Sequence, residues 1–411
     1  MKKLLILGAG TGGTMMANKM RKDLDRNEWD ITIVDEDKVH YYQPAFLFIP
    51  FGIYKKEDAF KPKINFLPAG VNRIFSKIEK IDAENNTVSL NDGKTLLYDF
   101  LIIATGTRIA PEETPGMIDS EWQKSIFDFY TYDGSVKLAA FLKHWQGGKL
   151  VINIADMPIK CPVAPLEFAF LADDYFRKKG MRDNVEIFYV TPLSGAFTKP
   201  TASSILGYML EEKQIHVVPD FYISEVNNAE KKIVDYGGAE VAFDVLVTIP
   251  LHFGAEAIMN SGLGDDFGFV KTNKHTLQSE LFPNVFVLGD AANLPTSKAG
   301  SVVHFSSEVL HENLLSAMDG MPLTASFDGH ANCFVEMGNG EAALLDFNYN
   351  TEPLTGTFPL PGIGPLTLLK GSKFNHYGKL MFRWIYWHML LKGKELPISR
   401  DMSEAGKNIV A

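Results

Sequence analysis

The sequence predicts an α/β protein with two parallel-sheet halves, and three observations predict it. The chain opens as strand, glycine turn, helix and strand in "KKLLILGAGTGGTMMANKMRKDLDRNEWDITIVDE". A second alternation starts near Gly147, with "GGKLVINIAD", "APLEFAFLADDYFRKKG" and "NVEIFYVTP". A late strand, "NVFVLGDAANL", ends in Gly-Asp. Short β-rich runs separated by helical stretches need crossover connections, and crossovers make parallel sheets. A length of 411 residues fits two or three domains. The 46% hydrophobic and 22% charged content is ordinary for a globular chain with a large core.

The first strand is "LLIL" within "MKKLLILGAG". Its apolar run is too short for a signal peptide and has no small-residue cleavage site, so a protein made in the cytoplasm without a signal peptide is expected. Gly8-Ala9-Gly10-Thr11-Gly12-Gly13 follows directly and opens a helix. In this G-x-G-x-x-G pattern Gly8 permits a tight turn. Gly10 lets backbone approach a pyrophosphate, and Gly13 lets helix and strand pack closely. Asp35 closes the second strand, suitably placed to accept hydrogen bonds from a ribose. Together these predict dinucleotide binding. "VSLNDGKTLLYDFLIIATGT" reads as a hairpin leading into a buried strand.

Thr105 and Gly106 in "LIIATGT", and Gly289 and Asp290 in "NVFVLGDAAN", resemble the two later motifs of the two-dinucleotide-binding-domain flavoproteins. That resemblance implies FAD, with Asp290 at its ribityl and pyrophosphate region. The expected fold is then two Rossmann-like dinucleotide-binding domains, the FAD domain discontinuous, plus a C-terminal membrane-associating region. Expected boundaries are 1–110 and 266–320 for the two parts of the FAD domain. The second Rossmann-like domain is expected over 111–265, and a quinone and membrane-interface region over 321–411.

Members of that superfamily that use NADH carry a second glycine motif. Here the corresponding stretch reads "LVINIADMPIKCPVAP". Pro158 and Pro162 replace glycines, and proline has no N–H to offer a phosphate. An electron donor other than a nicotinamide is expected, with Cys161 in the nicotinamide's place.

"HYYQPAF", "IKCPVAP", "NLPTSKAGSVV", "CFVE" and "FRWIYWHMLLKGKELP" resemble the sulfide:quinone oxidoreductase family from end to end. The resemblance implies that Cys161 and Cys333 meet beside the flavin, joined by a disulfide or sulfur-bridged link. Hydrosulfide opens the link and leaves a persulfide on one cysteine. The other, assigned as Cys161, is freed as a thiolate and passes two electrons through the flavin to a quinone. Glu167 is the expected proton carrier near the reactive sulfur. Lys298 is expected at a helix N-terminus beneath the flavin, where it stabilises the reduced ring. Phe334 is expected to sandwich the quinone, with a core phenylalanine as the alternative. His40 and Tyr41 lie near the flavin edge by analogy, without an assigned role. The third cysteine of many bacterial members is missing from "EWQKSIFDFYTYDG", so FAD is expected to be non-covalent.

The remaining features bound the partners. A net charge of −10 argues against nucleic acid. Two cysteines are too few for a cysteine-based zinc site, and His304 and His311 complete no ligand set, so no metal is predicted. No apolar run is long enough to span a bilayer. Tyr377, Leu380, Met381, Trp384, His388 and Leu391 follow helical spacing, and Phe382, Ile385 and Trp387 widen the apolar face. Residues 370–394 carry six Lys or Arg and no acidic residue. Such a helix suits peripheral attachment to an anionic membrane surface, on a side the sequence does not specify. "FLFIPFGIY" is a second lipid-facing loop or core. The sequence leaves room for a homo-oligomer. Three other activities compete: a type-two NADH:quinone reductase, a flavocytochrome-type sulfide dehydrogenase subunit, and a non-enzymatic FAD-containing thiol redox sensor.

Overall fold

The computed structural model describes residues 1–408. The chain begins with β1 (Lys2–Leu7), α1 (Thr11–Asp23) and β2 (Trp29–Asp35). It continues through β3 (Asn72–Phe75) and β4 (Phe100–Ile103). The expected hairpin before β4 forms, pairing Thr87–Leu90 with Thr95–Leu97. Leu4, Leu5, Ile6 and Leu7 are all buried. A continuous apolar run of this kind is what a parallel strand covered on both faces requires.

The second half uses β5 (Ile126–Phe127), α2 (Tyr132–His144), β6 (Gly148–Ile154) and α3 (Ala164–Lys178). It is completed by β7 (Val185–Val190), α4 (Pro200–Glu212), β8 (Ile215–Val218) and β9 (Val245–Ile249). These strands form one parallel sheet in the order β5-β9-β6-β7-β8. The chain then returns through β10 (Val285–Val287) to the first sheet, whose order is β10-β4-β1-β2-β3. The first sheet is therefore discontinuous in sequence.

Helix α5 (Gly300–Met318) follows β10 and packs against α1. The last part of the chain builds a four-stranded sheet from β11 (Ala331–Gly338), β12 (Glu341–Phe347), β13 (Gly356–Leu360) and β14 (Gly364–Leu368). Its order is β11-β12-β14-β13. Helix α6 (Lys373–His388) starts at Ser372, whose hydroxyl accepts the Asn375 N–H at 3.1 Å and caps the first turn. One face of α6 lies on β12. Among the described residues, no helix is long and apolar enough to cross a membrane.

The expected apolar face of α6 is split by the fold. Phe374, Tyr377, Met381 and Trp384 are exposed. Trp387 is buried, stacked on Phe66 at 5.1 Å between ring centroids, and Leu391 is buried as well. Trp387 therefore does not belong to the outward stripe. The loop "FLFIPFGIY" is mostly core, because Phe46, Leu47, Phe48, Ile49 and Tyr54 are buried.

Candidate active site

The glycine turn between β1 and α1 is shaped for a bound anion. A Cβ on Gly13 would collide with the Gly8 carbonyl, whereas a Cβ on Gly10 would meet nothing within 4 Å. Close packing thus explains Gly13, and Gly10 borders open space that a pyrophosphate can approach. Asp35 Oδ2 accepts the Ala9 N–H at 2.6 Å, and Oδ1 accepts from Lys63 Nζ at 2.5 Å. A carboxylate retains further lone pairs, so Asp35 can still take a ribose hydroxyl.

Across the sheet, Thr105 precedes Gly106, whose φ is +70°. The buried Thr105 hydroxyl has no protein partner, which fits a site that a polar group completes. Gly289 and Asp290 follow β10, and a cleft lined by Gly289, Asp290, Lys298, Ala299 and Val302 opens beside them. Burial pushes the Asp290 carboxyl up, against the opposing pull of Lys298 and Lys160. Glycine cradle, orphan hydroxyl and partly exposed carboxylate together fit a dinucleotide such as FAD.

Lys298 lies just before α5, as expected, but its side chain is buried. Its ammonium donates to the carbonyls of Asp290 and Ala292, both at 2.8 Å, and sits 3.9 Å from the Phe269 ring centroid. Burial lowers its pKa to about 8. Its backbone carbonyl accepts the Cys161 N–H at 2.7 Å, so the cysteine loop and the Gly289–Asp290 turn are joined directly.

Cys161 sits between β6 and α3 with φ at +49°, a conformation uncommon outside glycine. Ala164 N–H and the Tyr130 hydroxyl both bind its carbonyl, at 2.9 and 3.1 Å. These bonds hold the strained residue in place. Cys333 lies on β11 opposite Leu345, and the N–H of the adjoining Asn332 donates to the Ser301 hydroxyl of α5 at 3.3 Å. The two cysteines thus converge at the start of α5, one tied to Lys298 and the other, through Asn332, to Ser301. Both are free thiols, so the structure differs from the expected disulfide or sulfur-bridged link and shows the pair unjoined. Burial raises both pKa values, Cys333 to about 12, with Glu167 adding to each and the Lys379 ammonium opposing the rise of each. The charge of Cys333 also raises Cys161.

Glu167 is buried in the first turn of α3. It pairs with Lys379 of α6 and accepts the Glu336 N–H from β11 at 2.7 Å. Burial pushes its carboxyl up. Burial works against the Lys379 ammonium, but Glu167 and Glu336 hold its pKa above the ordinary lysine value. Glu336 in turn binds His376 at 3.0 Å. Phe334 is half-buried, and its ring lies against Gly378, where a Cβ would come within 3.0 Å. Sequence reasoning missed Lys379, Glu336 and His376 as parts of the site. Lys379 was visible only as one of the tail's cations, and Glu336 only as a letter of "CFVE". His40 and Tyr41 do not reach the cysteines by any recorded bond. His40 Nε2 bonds the Tyr386 hydroxyl at 2.7 Å, and that hydroxyl also bonds Thr11 at 2.7 Å.

Residues 2–145 match the pyridine nucleotide-disulphide oxidoreductase family. The mitochondrial sulfide:quinone oxidoreductase of Dictyostelium discoideum is 30% identical over 398 residues, covering 95% of this chain and 86% of that protein. A type II NADH:quinone oxidoreductase of Staphylococcus haemolyticus is 32% identical over only 123 residues, 30% of each chain. The crystal structure of the Aquifex aeolicus sulfide:quinone oxidoreductase superposes with a TM-score of 0.81 at 20% identity, covering 96% of this chain and 92% of that one. The likeness to the Dictyostelium protein runs through both sheets, the cysteine site and the C-terminal sheet, and on that extent the chain belongs to the sulfide:quinone oxidoreductase family, whose members are FAD flavoproteins.

Proposed function

We propose that this chain oxidises hydrogen sulfide at Cys161 and Cys333 and delivers two electrons to a membrane quinone. The observation that carries the reading is the meeting of two sulfurs, remote in sequence, at the start of α5 beside the Gly289–Asp290 turn. Gly8, Gly10, Gly13, Asp35, Thr105, Gly106, Gly289, Asp290 and Lys298 would hold FAD without a covalent tether. Bound FAD supplies the two-electron relay between sulfur and quinone.

The protein's residues act on sulfur and protons. In the oxidised protein the two thiols would be joined by a bridge, their two electrons and two protons having gone to the quinone; hydrosulfide bonds to Cys333 Sγ, that bridge breaks, and its electron pair leaves on Cys161 Sγ. Glu167, buried with a raised pKa, exchanges the proton that thiol and thiolate must trade. Lys379 balances its charge when it is ionised. Phe334 stacks on the quinone ring. Sulfur leaves as polysulfide or on a small acceptor thiol. In the net reaction one hydrosulfide, one proton and one quinone give one sulfur atom and one quinol. The quinone is lipid-borne, so the exposed stripe Phe374–Tyr377–Met381–Trp384 attaches the protein peripherally, aided by the exposed hairpin residues Leu360 and Ile363.

Anaerobic mixing with sulfide tests the reading. The flavin absorbance should bleach and return when a soluble quinone analogue is added. Cys161→Ser and Cys333→Ser should each lower turnover by about 1,000-fold or more while retaining FAD. Normal sulfide oxidation by either variant would overturn the paired-thiol chemistry. Bleaching by NADH instead of sulfide would favour the type-two NADH reductase.

A further inference from the structure

Most charged groups around the cysteines are occupied by one another. Lys379 pairs with Glu167, and His376 with Glu336. Lys298 spends its protons on two backbone carbonyls. Lys160 differs. Among the described residues its ammonium has no hydrogen bond and no carboxylate within ion-pair distance. It lies 6.0 Å from the centroid of the Tyr130 ring, and the Tyr130 hydroxyl binds the Cys161 carbonyl.

Lys160 is fixed on both sides. Its backbone bridges to Lys298, and the next N–H, that of Cys161, donates to the Lys298 carbonyl. Burial pulls the Lys160 pKa down, and the charges of Asp290, Asp128 and Cys161 oppose that pull and favour its ammonium. His252, edge-on to Tyr130 at 5.3 Å, adds no competing charge. Its Nδ1 is engaged by the Pro250 carbonyl at 2.9 Å, and burial together with Lys160 lowers its pKa to about 3.

The proposed reaction moves one negative charge from water into this enclosure. Hydrosulfide carries it in, a new S–S bond forms at Cys333, the old one breaks, and the charge ends on Cys161 Sγ. No proton, oxidant or further reactant enters this step. An anion transferred to a buried site without a counter-charge is strongly disfavoured. An ammonium already present and not neutralised by an ion pair offsets that cost. The Lys379 ammonium already favours both thiolates, but Glu167 shares its charge, which leaves room for a second cation.

We propose that the Lys160 ammonium is the counter-charge that admits hydrosulfide and holds the Cys161 sulfur as a thiolate. The role rests on the sulfide-oxidising reading, but its effect on the thiol can be measured without sulfide. The chain has two cysteines, so Cys333→Ser leaves Cys161 alone. The FAD-loaded Cys333→Ser protein is alkylated with iodoacetamide across a range of pH, and modification of Cys161 is followed by mass spectrometry. Adding Lys160→Gln should move the alkylation midpoint up by about one pH unit or more, with about tenfold slower modification on the acid side. Lys160→Arg should restore the profile. With both cysteines present, Lys160→Gln should also slow flavin bleaching at limiting sulfide, and Lys160→Arg should recover it. FAD content reports folding, and Lys160→Met is the second neutral variant where glutamine does not retain the cofactor. Superimposable alkylation profiles for lysine and the neutral residue would overturn the proposal. A wild-type flavin that sulfide leaves oxidised would remove the functional reading instead, with the alkylation shift still measurable.

Discussion

At the scale of single residues, the site is governed by buried charges that need partners. Glu167 and Lys379 illustrate it, since Glu167 is buried, the Lys379 side chain is 12% exposed, and each answers the other. Removing one member of such a pair leaves the other charged and unpaired, at a cost of about 3–5 kcal/mol. Lys379→Met should therefore lower unfolding stability by about that amount in a denaturant titration. The double variant Lys379→Met, Glu167→Gln should recover most of the loss. His304 gives a pH prediction. Burial, followed by Lys19 and His330, lowers its pKa from 6.5 to about 4; among the described residues neither ring nitrogen has a hydrogen-bond partner, and the Glu308 carboxylate stands 3.6 Å from Nε2. The unfolded chain then binds a proton at higher pH than the folded one. Folding stability from this residue is present above pH 6.5 and is lost as pH falls from 6.5 through 4, on the order of 3 kcal/mol. Urea titrations should show a steeper acid loss in wild type than in His304→Gln. The glycines, Asp35 and both cysteines were legible as residues because their chemistry narrows the choice of residue type. Lys379, His376 and Lys160 were not, because a lysine or histidine in sequence looks the same whether it faces water or a buried carboxylate.

At the scale of elements, α6 does two jobs on two faces. Its inner face brings Lys379 to Glu167 and Tyr386 to His40 and Thr11. Tyr386 thereby ties the tail helix to the glycine turn. Tyr386→Phe should cost about 1–3 kcal/mol, because buried partners lose their bond, and should weaken FAD retention. Thermal melting with and without added FAD checks both. The outer face bears the stripe Phe374–Tyr377–Met381–Trp384. Deleting the helix would remove both faces, so lipid attachment is better tested with Tyr377→Ser, Met381→Ser and Trp384→Ser combined. That variant should float with anionic liposomes about tenfold less well while retaining FAD. Unchanged flotation would refute the anchor. The helix was evident in sequence from its period. The division of its faces was not, since aromatic side chains suit a core and an interface equally well, and only the positions of Phe66 and β12 decide which way Trp387 points.

At the scale of the whole molecule, the two parallel sheets follow from the patterning of "LLIL", "ITIVD" and "LVINI". The return of β10 to the first sheet was marked by the Gly289–Asp290 motif. The four-stranded sheet that carries Cys333 was not foreseen as a sheet, because its strands are interrupted by glycines and prolines that obscure the period of two. That sheet is closed by a segment far along the chain. Lys407 Nζ meets Asp346 at 2.5 Å with both side chains fully buried, and Asp346 also binds His330 at 2.8 Å. Lys407→Met should destabilise the C-terminal sheet by about 3–5 kcal/mol, seen as an earlier step in hydrogen exchange of residues 331–347. One backbone hydrogen bond joins these parts. The amide of Cys161 is fastened to the carbonyl of Lys298 at 2.7 Å, which couples the cysteine loop of one sheet to the segment that follows the Asp290 turn of the other. Under the proposed reaction, that shared bond would keep the donor sulfur near a flavin held at the same turn.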